Sequence, residues 1–171
     1  ITGLPYPGGP SIARAALSGD PLKYKLPKSR LEGSSEALKD LRAEILELRS
    51  SNPRSKIQDP RSNSYDFSFS GIKTAVLRLA QEIIGEDYTF PSFKLAERLS
   101  ETQKNDIAAS FQRVAIETVV DKTVLAFEEF QPKSVVIAGG VAANLELRRQ
   151  LSDRLPIEVQ YTDPKLCTDN G

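Results

Sequence analysis

A chain of 171 residues is long enough to bury one ordinary hydrophobic core, and its 23 Lys/Arg balance 23 Asp/Glu, so no overall field singles out nucleic acid as a partner. Histidine is absent and Cys167 is the only cysteine, which excludes an internal disulfide, a Ser/His/Asp or Cys/His catalytic arrangement, and a zinc site supplied by anything beyond Cys167 and carboxylates. No apolar run approaches the length of a membrane span.

The charge balance conceals an asymmetry. Residues 1–64 carry 11 Lys/Arg against 7 Asp/Glu, and residues 65–171 carry 12 against 16. A basic rim near an acidic substrate would produce this, and so would an uneven solvated surface. A lone cysteine makes a reducing compartment the default. The chain starts at Ile1 directly before a Gly/Pro cluster, stops at Gly171 after Thr168-Asp169-Asn170, and contains no methionine. It is therefore expected to be an incomplete piece of a larger α/β enzyme.

Gly3-Leu4-Pro5-Tyr6-Pro7-Gly8-Gly9-Pro10 is expected to form a tight turn, because proline fixes φ and glycine supplies conformations other residues avoid. A short helix over Ser11–Leu17 follows, then a basic, extended surface segment from Lys23 to Arg30. Between Glu36 and Arg49, Leu38, Leu41, Ile45 and Leu48 recur at three- and four-residue spacing, which predicts an amphipathic helix. Its flanks are polar, so residues 31–64 read as an insertion, the helix serving a partner, packing on its own domain or forming a disordered excursion. Residues 1–30 form an opening segment, and 65–171 the α/β lobe.

Tyr65, Phe67 and Phe69 alternate with polar residues, the period of a strand with one apolar face. Ile72, Val76, Leu79 and Ile83 then take helical spacing, with Ser70 as N-cap and Gly85 as stop. A longer helix is expected from about Asn105 to Phe130, buried along Ile107, Phe111, Ala115 and Val119. Val135-Val136-Ile137-Ala138 predicts a strand buried on both faces. It feeds the Gly139-Gly140 turn and a helix from about Asn144 to Leu155, before a last strand through Ile157, Val159 and Tyr161 that ends at Asp163-Pro164.

The Gly139-Gly140 turn lies where α/β proteins bind phosphates, with backbone N–H groups and a helix dipole directed outward together and no side chain to block close approach. It lacks the Walker pattern and the third glycine of the dinucleotide fingerprint, and tight strand-to-helix packing alone accounts for such a turn equally well. Asn144 has an amide suited to a base, a ribose or a carbonyl, and equally to capping the helix. Asp169 reads as a metal ligand, an acid/base or a turn former.

Four segments together resemble one family. They are Tyr6-Pro7-Gly8-Gly9-Pro10, Asp66-Phe67-Ser68-Phe69-Ser70-Gly71-Ile72-Lys73-Thr74-Ala75, Ala138-Gly139-Gly140-Val141-Ala142-Ala143-Asn144 and Cys167-Thr168-Asp169-Asn170-Gly171. In this order they resemble the universal tRNA N6-adenosine threonylcarbamoyltransferases, once labelled O-sialoglycoprotein endopeptidases. The resemblance implies the actin-like ATPase fold, two lobes around a nucleotide, with this chain supplying most of the C-terminal lobe. It implies transfer of a threonylcarbamoyl group from threonylcarbamoyl-AMP to N6 of the tRNA adenosine adjacent to the anticodon. By the same likeness, Gly9 and Asn144 contact substrate or nucleotide, Gly139 and Gly140 lie at the phosphates, and Ser70 and Gly71 line the cleft.

Asp169 would join two histidines on one divalent metal ion, iron or zinc. Those histidines belong to a motif absent from this chain, so its metal site would be incomplete and the chain inactive alone. No general base is apparent. The Ser-Gly-Ile-Lys-Thr-Ala wording resembles the bacterial and organellar branch, and the insertion points to a mitochondrial member, with the bacterial cytoplasm as the alternative. Expected partners are tRNA, threonylcarbamoyl-AMP, and a second copy or accessory proteins of the same modification pathway, with no membrane. The competing readings are another actin-like carbamoyltransferase or kinase, and a non-catalytic binding or scaffold segment. A peptidase lacks its nucleophile and its metal-binding histidines here.

Overall fold

The computed structural model describes residues 1–28 and 65–163. The expected helix at Glu36–Arg49, Cys167 and Asp169 lie outside the described residues. The described elements are α1 (Gly8–Ala16), α2 (Ser70–Ile83), a one-turn 3-10 helix (Ser92–Lys94), α3 (Leu95–Arg98), α4 (Glu101–Phe130), β1 (Val135–Ile137), a second 3-10 turn (Gly140–Ala143), α5 (Leu145–Arg154) and β2 (Val159–Tyr161). The class is α/β, as expected.

Helix α4 organises the rest. Its start is set by a capping box: the Ser100 hydroxyl accepts from Gln103 N–H, and the Gln103 side chain accepts from Ser100 N–H at 2.8 Å. The helix therefore begins four residues before the expected Asn105. Its two halves bury different faces. The first half contributes Ile107 and Val114 to a cluster with Ile72, Val76, Ala80, Leu95 and Leu99. The second contributes Ile116 and Val120 to a cluster with Leu147, Leu151, Leu155 and Val159. Because the buried face changes along the helix, Phe111, Ala115 and Val119 are only partly buried, and the single expected stripe is replaced by two.

A polar row on α4 holds the segment after α1. Asp106 Oδ1 accepts from Asp20 N–H at 2.8 Å, and Ser110 Oγ accepts from Tyr24 N–H at 3.2 Å. Arg113 Nε donates to Pro21 O at 2.8 Å, and Lys28 Nζ pairs with Glu117 at 3.1 Å and Asp121 at 3.3 Å. These side chains recur at three- and four-residue spacing, so they share a face. Residues 20–28 are therefore strapped to α4, with Leu26 buried, where a free surface segment was expected.

Three further expectations are corrected. Residues 65–69 form no strand. Tyr65 instead stacks on Phe130 with centroids 6.0 Å apart and its hydroxyl meets Glu129, while Phe67 and Phe69 pack edge-on at 5.3 Å. Alternation supplied an apolar face, and aromatic contacts cover it in part without a strand neighbour, leaving Phe67 exposed. Helix α1 starts at Gly8, so Gly8, Gly9 and Pro10 form its first turn, where a missing proline N–H costs no helical bond. Ser70 is the first residue of α2 and not its cap; its N–H is met by the Ser68 hydroxyl at 3.2 Å. Gly85, at φ +73°, ends α2 as expected: Gly85 N–H reaches Glu82 O and Glu86 N–H reaches Gln81 O, the paired closure that requires a left-handed residue.

Strands β1 and β2 pair in parallel, Val135 opposite Val159 and Ile137 opposite Tyr161. Helix α5 makes the crossover and covers one face. Val136, on the other face, is 56% exposed, so β1 is not buried on both faces among the described residues.

Candidate functional site at the carboxyl end of the parallel strands

Ligands of parallel α/β sheets collect beyond the carboxyl ends of the strands. Here Ala138 leaves β1 and Gly139 takes φ +85°, a conformation that strains any residue with a Cβ, although a Cβ would meet no atom within 4 Å. Gly140–Ala143 then form one 3-10 turn, a departure from the direct strand-to-helix step expected. Its backbone bonds run from Ala142 N to Gly139 O and from Asn144 N to Val141 O, each 2.9 Å. The amides of Gly140 and Val141, both exposed, have no backbone carbonyl partner among the described residues.

Asn144 is the N-cap of α5. Its Oδ1 accepts from Glu146 N–H at 3.0 Å and Leu147 N–H at 3.1 Å. Its Nδ2 donates to Gln112 Oε1 on α4 at 3.1 Å. Both ends of the amide are thus engaged inside the chain, and the start of α5 is already satisfied by its own cap. The cap takes the amides of Glu146 and Leu147, so the backbone donors left at this end are those of the Gly140-Val141 turn, beside the first amide of α5 at Leu145.

Three anchors hold this exposed turn. The Ala142 methyl is fully buried, the Ala142 carbonyl accepts from Arg148 Nε at 2.7 Å, and Asn144 is tied to Gln112. The Arg148 guanidinium lies 4.3 Å from the centre of the Tyr161 ring on β2. Thr162 N–H donates to Ile137 O at 3.2 Å and extends the strand pairing under the turn. Gln112, Arg148 and Tyr161 were missed in the sequence. Only Arg148 had a local signal, standing one helical turn after the cap and facing back toward it.

Gly9, Ser70 and Gly71 lie in the first turns of α1 and α2, all exposed, and a Cβ at either glycine would touch nothing within 4 Å. No hydrogen bond among the described residues joins them to the Gly139–Asn144 turn. Helix α2 belongs to the first hydrophobic cluster, and β1 and α5, which flank the turn, belong to the second, with α4 common to both.

Electrostatics beside the turn are set by ion pairs on α5. Arg149 binds Glu146 through Nε at 2.9 Å and Nη2 at 2.7 Å, which lowers the Glu146 carboxyl pKa against the opposing effect of burial; Gln150 adds a further bond. At the far end, burial pushes Asp121 up, but Arg154 and Lys28 outweigh it and leave its carboxyl below the ordinary value. No group of three or more His, Cys, Asp or Glu side chains able to hold a metal ion occurs among the described residues. With histidine absent from the whole sequence, the described donors do not fit a divalent transition metal.

An α/β chain with a glycine turn beyond a parallel strand, braced from a long helix and the crossover helix, defines the class. The family profile described as "TsaD: tRNA N6-adenosine threonylcarbamoyltransferase" matches residues 1–171. Proteins named tRNA N6-adenosine threonylcarbamoyltransferase are 38% identical in Prochlorococcus marinus (strain MIT 9312), 34% in Thermomicrobium roseum and 37% in Polaromonas naphthalenivorans. Each alignment covers 100% of this chain and 39%, 40% and 37% of the respective relative. The chain belongs to the TsaD family, and it spans about two fifths of the length of these relatives.

Proposed function

We propose that the chain forms part of an enzyme of the actin-like ATPase fold that transfers a threonylcarbamoyl group from threonylcarbamoyl-AMP to N6 of the tRNA adenosine adjacent to the anticodon. The observation that carries this reading is the match of the TsaD family to residues 1–171, and the open Gly139-Gly140 turn supports it as a seat for the adenylate phosphate.

The chemistry is acyl transfer to a weakly nucleophilic aromatic amine, with AMP as leaving group. As the acyl–phosphate bond breaks, negative charge accumulates on the phosphate oxygens. Fixed backbone donors lower that barrier because they need not reorganise as the charge forms. The amides of Gly140 and Val141 are suited to this, being exposed, without a backbone partner among the described residues, and on a turn held at three points. Gly139 and Gly140 keep side chains away from the phosphate. Asn144 fixes the end of the turn through its cap and Gln112. Gly9, Ser70 and Gly71 contribute small, open surface for the rest of the substrate.

Asp169 would contribute one carboxylate to a divalent ion, iron or zinc, with the remaining ligands supplied from outside this chain. The Ser70–Ala75 wording and the bacterial relatives support the bacterial or organellar branch; a mitochondrial location rests on the 31–64 insertion. Accessory proteins or a second copy complete the assembly.

The test is reconstitution of the full-length protein with its accessory proteins, threonylcarbamoyl-AMP and unmodified tRNA, with nucleosides read by mass spectrometry. Threonylcarbamoyladenosine should appear only when protein and adenylate are both present. Its absence in a system where a bacterial TsaD relative is active would contradict the reading.

A further inference from the structure

We propose that Arg148 is a positioning residue that sets the geometry of the Gly139–Asn144 turn, acting through Ala142 and the ring of Tyr161 and not as a charge on the substrate. The proposal rests on the adenylate reading above.

The turn is a weak element taken alone. One 3-10 turn has few internal bonds and poorer hydrogen-bond geometry than an α-helix, and of Gly139, Gly140, Val141, Ala142 and Ala143 only Ala142 is buried. Arg148 supplies a strong outside restraint. Its Nε donates to the Ala142 carbonyl at 2.7 Å, a charge-assisted bond at the short end of the range. That bond needs the guanidinium plane to be held, and Tyr161 holds it: the guanidinium carbon lies 4.3 Å from the ring centre, within cation–π range, while the Tyr161 hydroxyl donates to the Arg148 carbonyl at 3.5 Å. One side chain thus couples α5, β2 and the turn. Lysine cannot replace it, because an ammonium has neither the planar face for the ring nor an Nε fork aimed at the carbonyl.

The experiment uses the full-length protein and compares adenosine with AMP as probes, alongside transfer kinetics. Arg148→Lys and Tyr161→Leu should each remove most of the affinity that the phosphate adds, and each should lower kcat/KM by roughly 10- to 100-fold, the scale expected when a catalytic geometry is displaced by about 1 Å. Tyr161→Phe, which keeps the ring, should stay within about threefold of the unmodified protein. Hydrogen exchange at Ala142 and Asn144 should accelerate in the two damaging variants, while exchange in α4 stays unchanged and shows the fold intact.

Full activity in Arg148→Lys, or a normal AMP-over-adenosine preference in Tyr161→Leu, would overturn the positioning role. If the unmodified protein makes threonylcarbamoyladenosine while those variants behave normally, only the positioning role fails. If the unmodified protein neither transfers nor prefers AMP, the adenylate reading fails and the positioning role fails with it.

Discussion

Asn144 shows how one amide can hold two elements at once. Its carbonyl oxygen caps α5 and its nitrogen ties the turn to Gln112, 32 residues away on α4. Asn144→Ala should cost about 1 kcal/mol from the lost cap and, by freeing Gln112, loosen the turn. Asn144→Asp keeps the cap and should retain most of the stability while losing the tie. Chemical denaturation separates the two, and equal loss in both would refute the capping assignment. The capping role was open to the sequence, since an Asn before a helical repeat is a common start signal. Gln112 and Arg148 were not. A side chain that reaches a carbonyl of an irregular turn, or an amide across 32 residues, leaves no period to detect.

Helices were legible wherever apolar spacing or a terminal residue fixed them, and misread where only part of the pattern was used. Ser100-Glu101-Thr102-Gln103 announces the start of α4 in plain capping-box form, yet the apolar repeat alone placed that start near Asn105. The polar row Asp106, Ser110, Arg113, Glu117 and Asp121 has helical spacing as clear as the apolar one, and its partner is the segment after α1. Residues 65–69 failed as a strand because alternation reports a face and not a neighbour.

The same strap makes Gly19 indispensable. A Cβ there would lie 2.1 Å from Asn105 O and 2.3 Å from its carbonyl carbon, both backbone atoms that cannot swing away. Gly19→Ala should destabilise by on the order of 3 kcal/mol, as overpacking against a rigid neighbour does; thermal unfolding with little change would show that the strap yields.

The strap also carries a pH signature. Asp121 has its carboxyl below the ordinary value, so its stabilising contribution is present above the unfolded value of about 4 and is lost as pH falls through the folded one. Lys28 is raised: burial opposes this, and Glu117 and Asp121 outweigh it, so its part persists up to about pH 10 and is lost above that. With these side chains roughly two fifths to one half exposed, the whole pair should contribute no more than about 1 kcal/mol. Asp121→Asn should therefore lower stability slightly at pH 7, and the difference should shrink as pH falls below the ordinary carboxylate value. A difference that does not shrink on acidification would contradict this.

Among the described residues, two hydrophobic clusters share one 30-residue helix, with α2, which carries Ser70 and Gly71, in the first and the strand and helix that flank the Gly139–Asn144 turn in the second. The α/β class, the longer helices and the glycine turn were readable because each rests on local chemistry, whereas residues 65–69 read as a strand that does not form. The way α4 distributes its faces between two clusters was not, since it depends on packing partners distant in sequence. The turn itself is sharpened from a generic phosphate loop to a braced pair of backbone amides beside a capped helix start. On the proposal above, this turn belongs to a transferase whose metal-side carboxylate is Asp169.

That is tested most directly in cells lacking their own threonylcarbamoyladenosine transferase, by mass spectrometry of tRNA nucleosides after supplying the full-length gene or its Asp169→Ala form. The unmodified gene should restore the nucleoside and Asp169→Ala, expressed at equal level, should not. No restoration by the unmodified gene, or full restoration by both, would contradict the account.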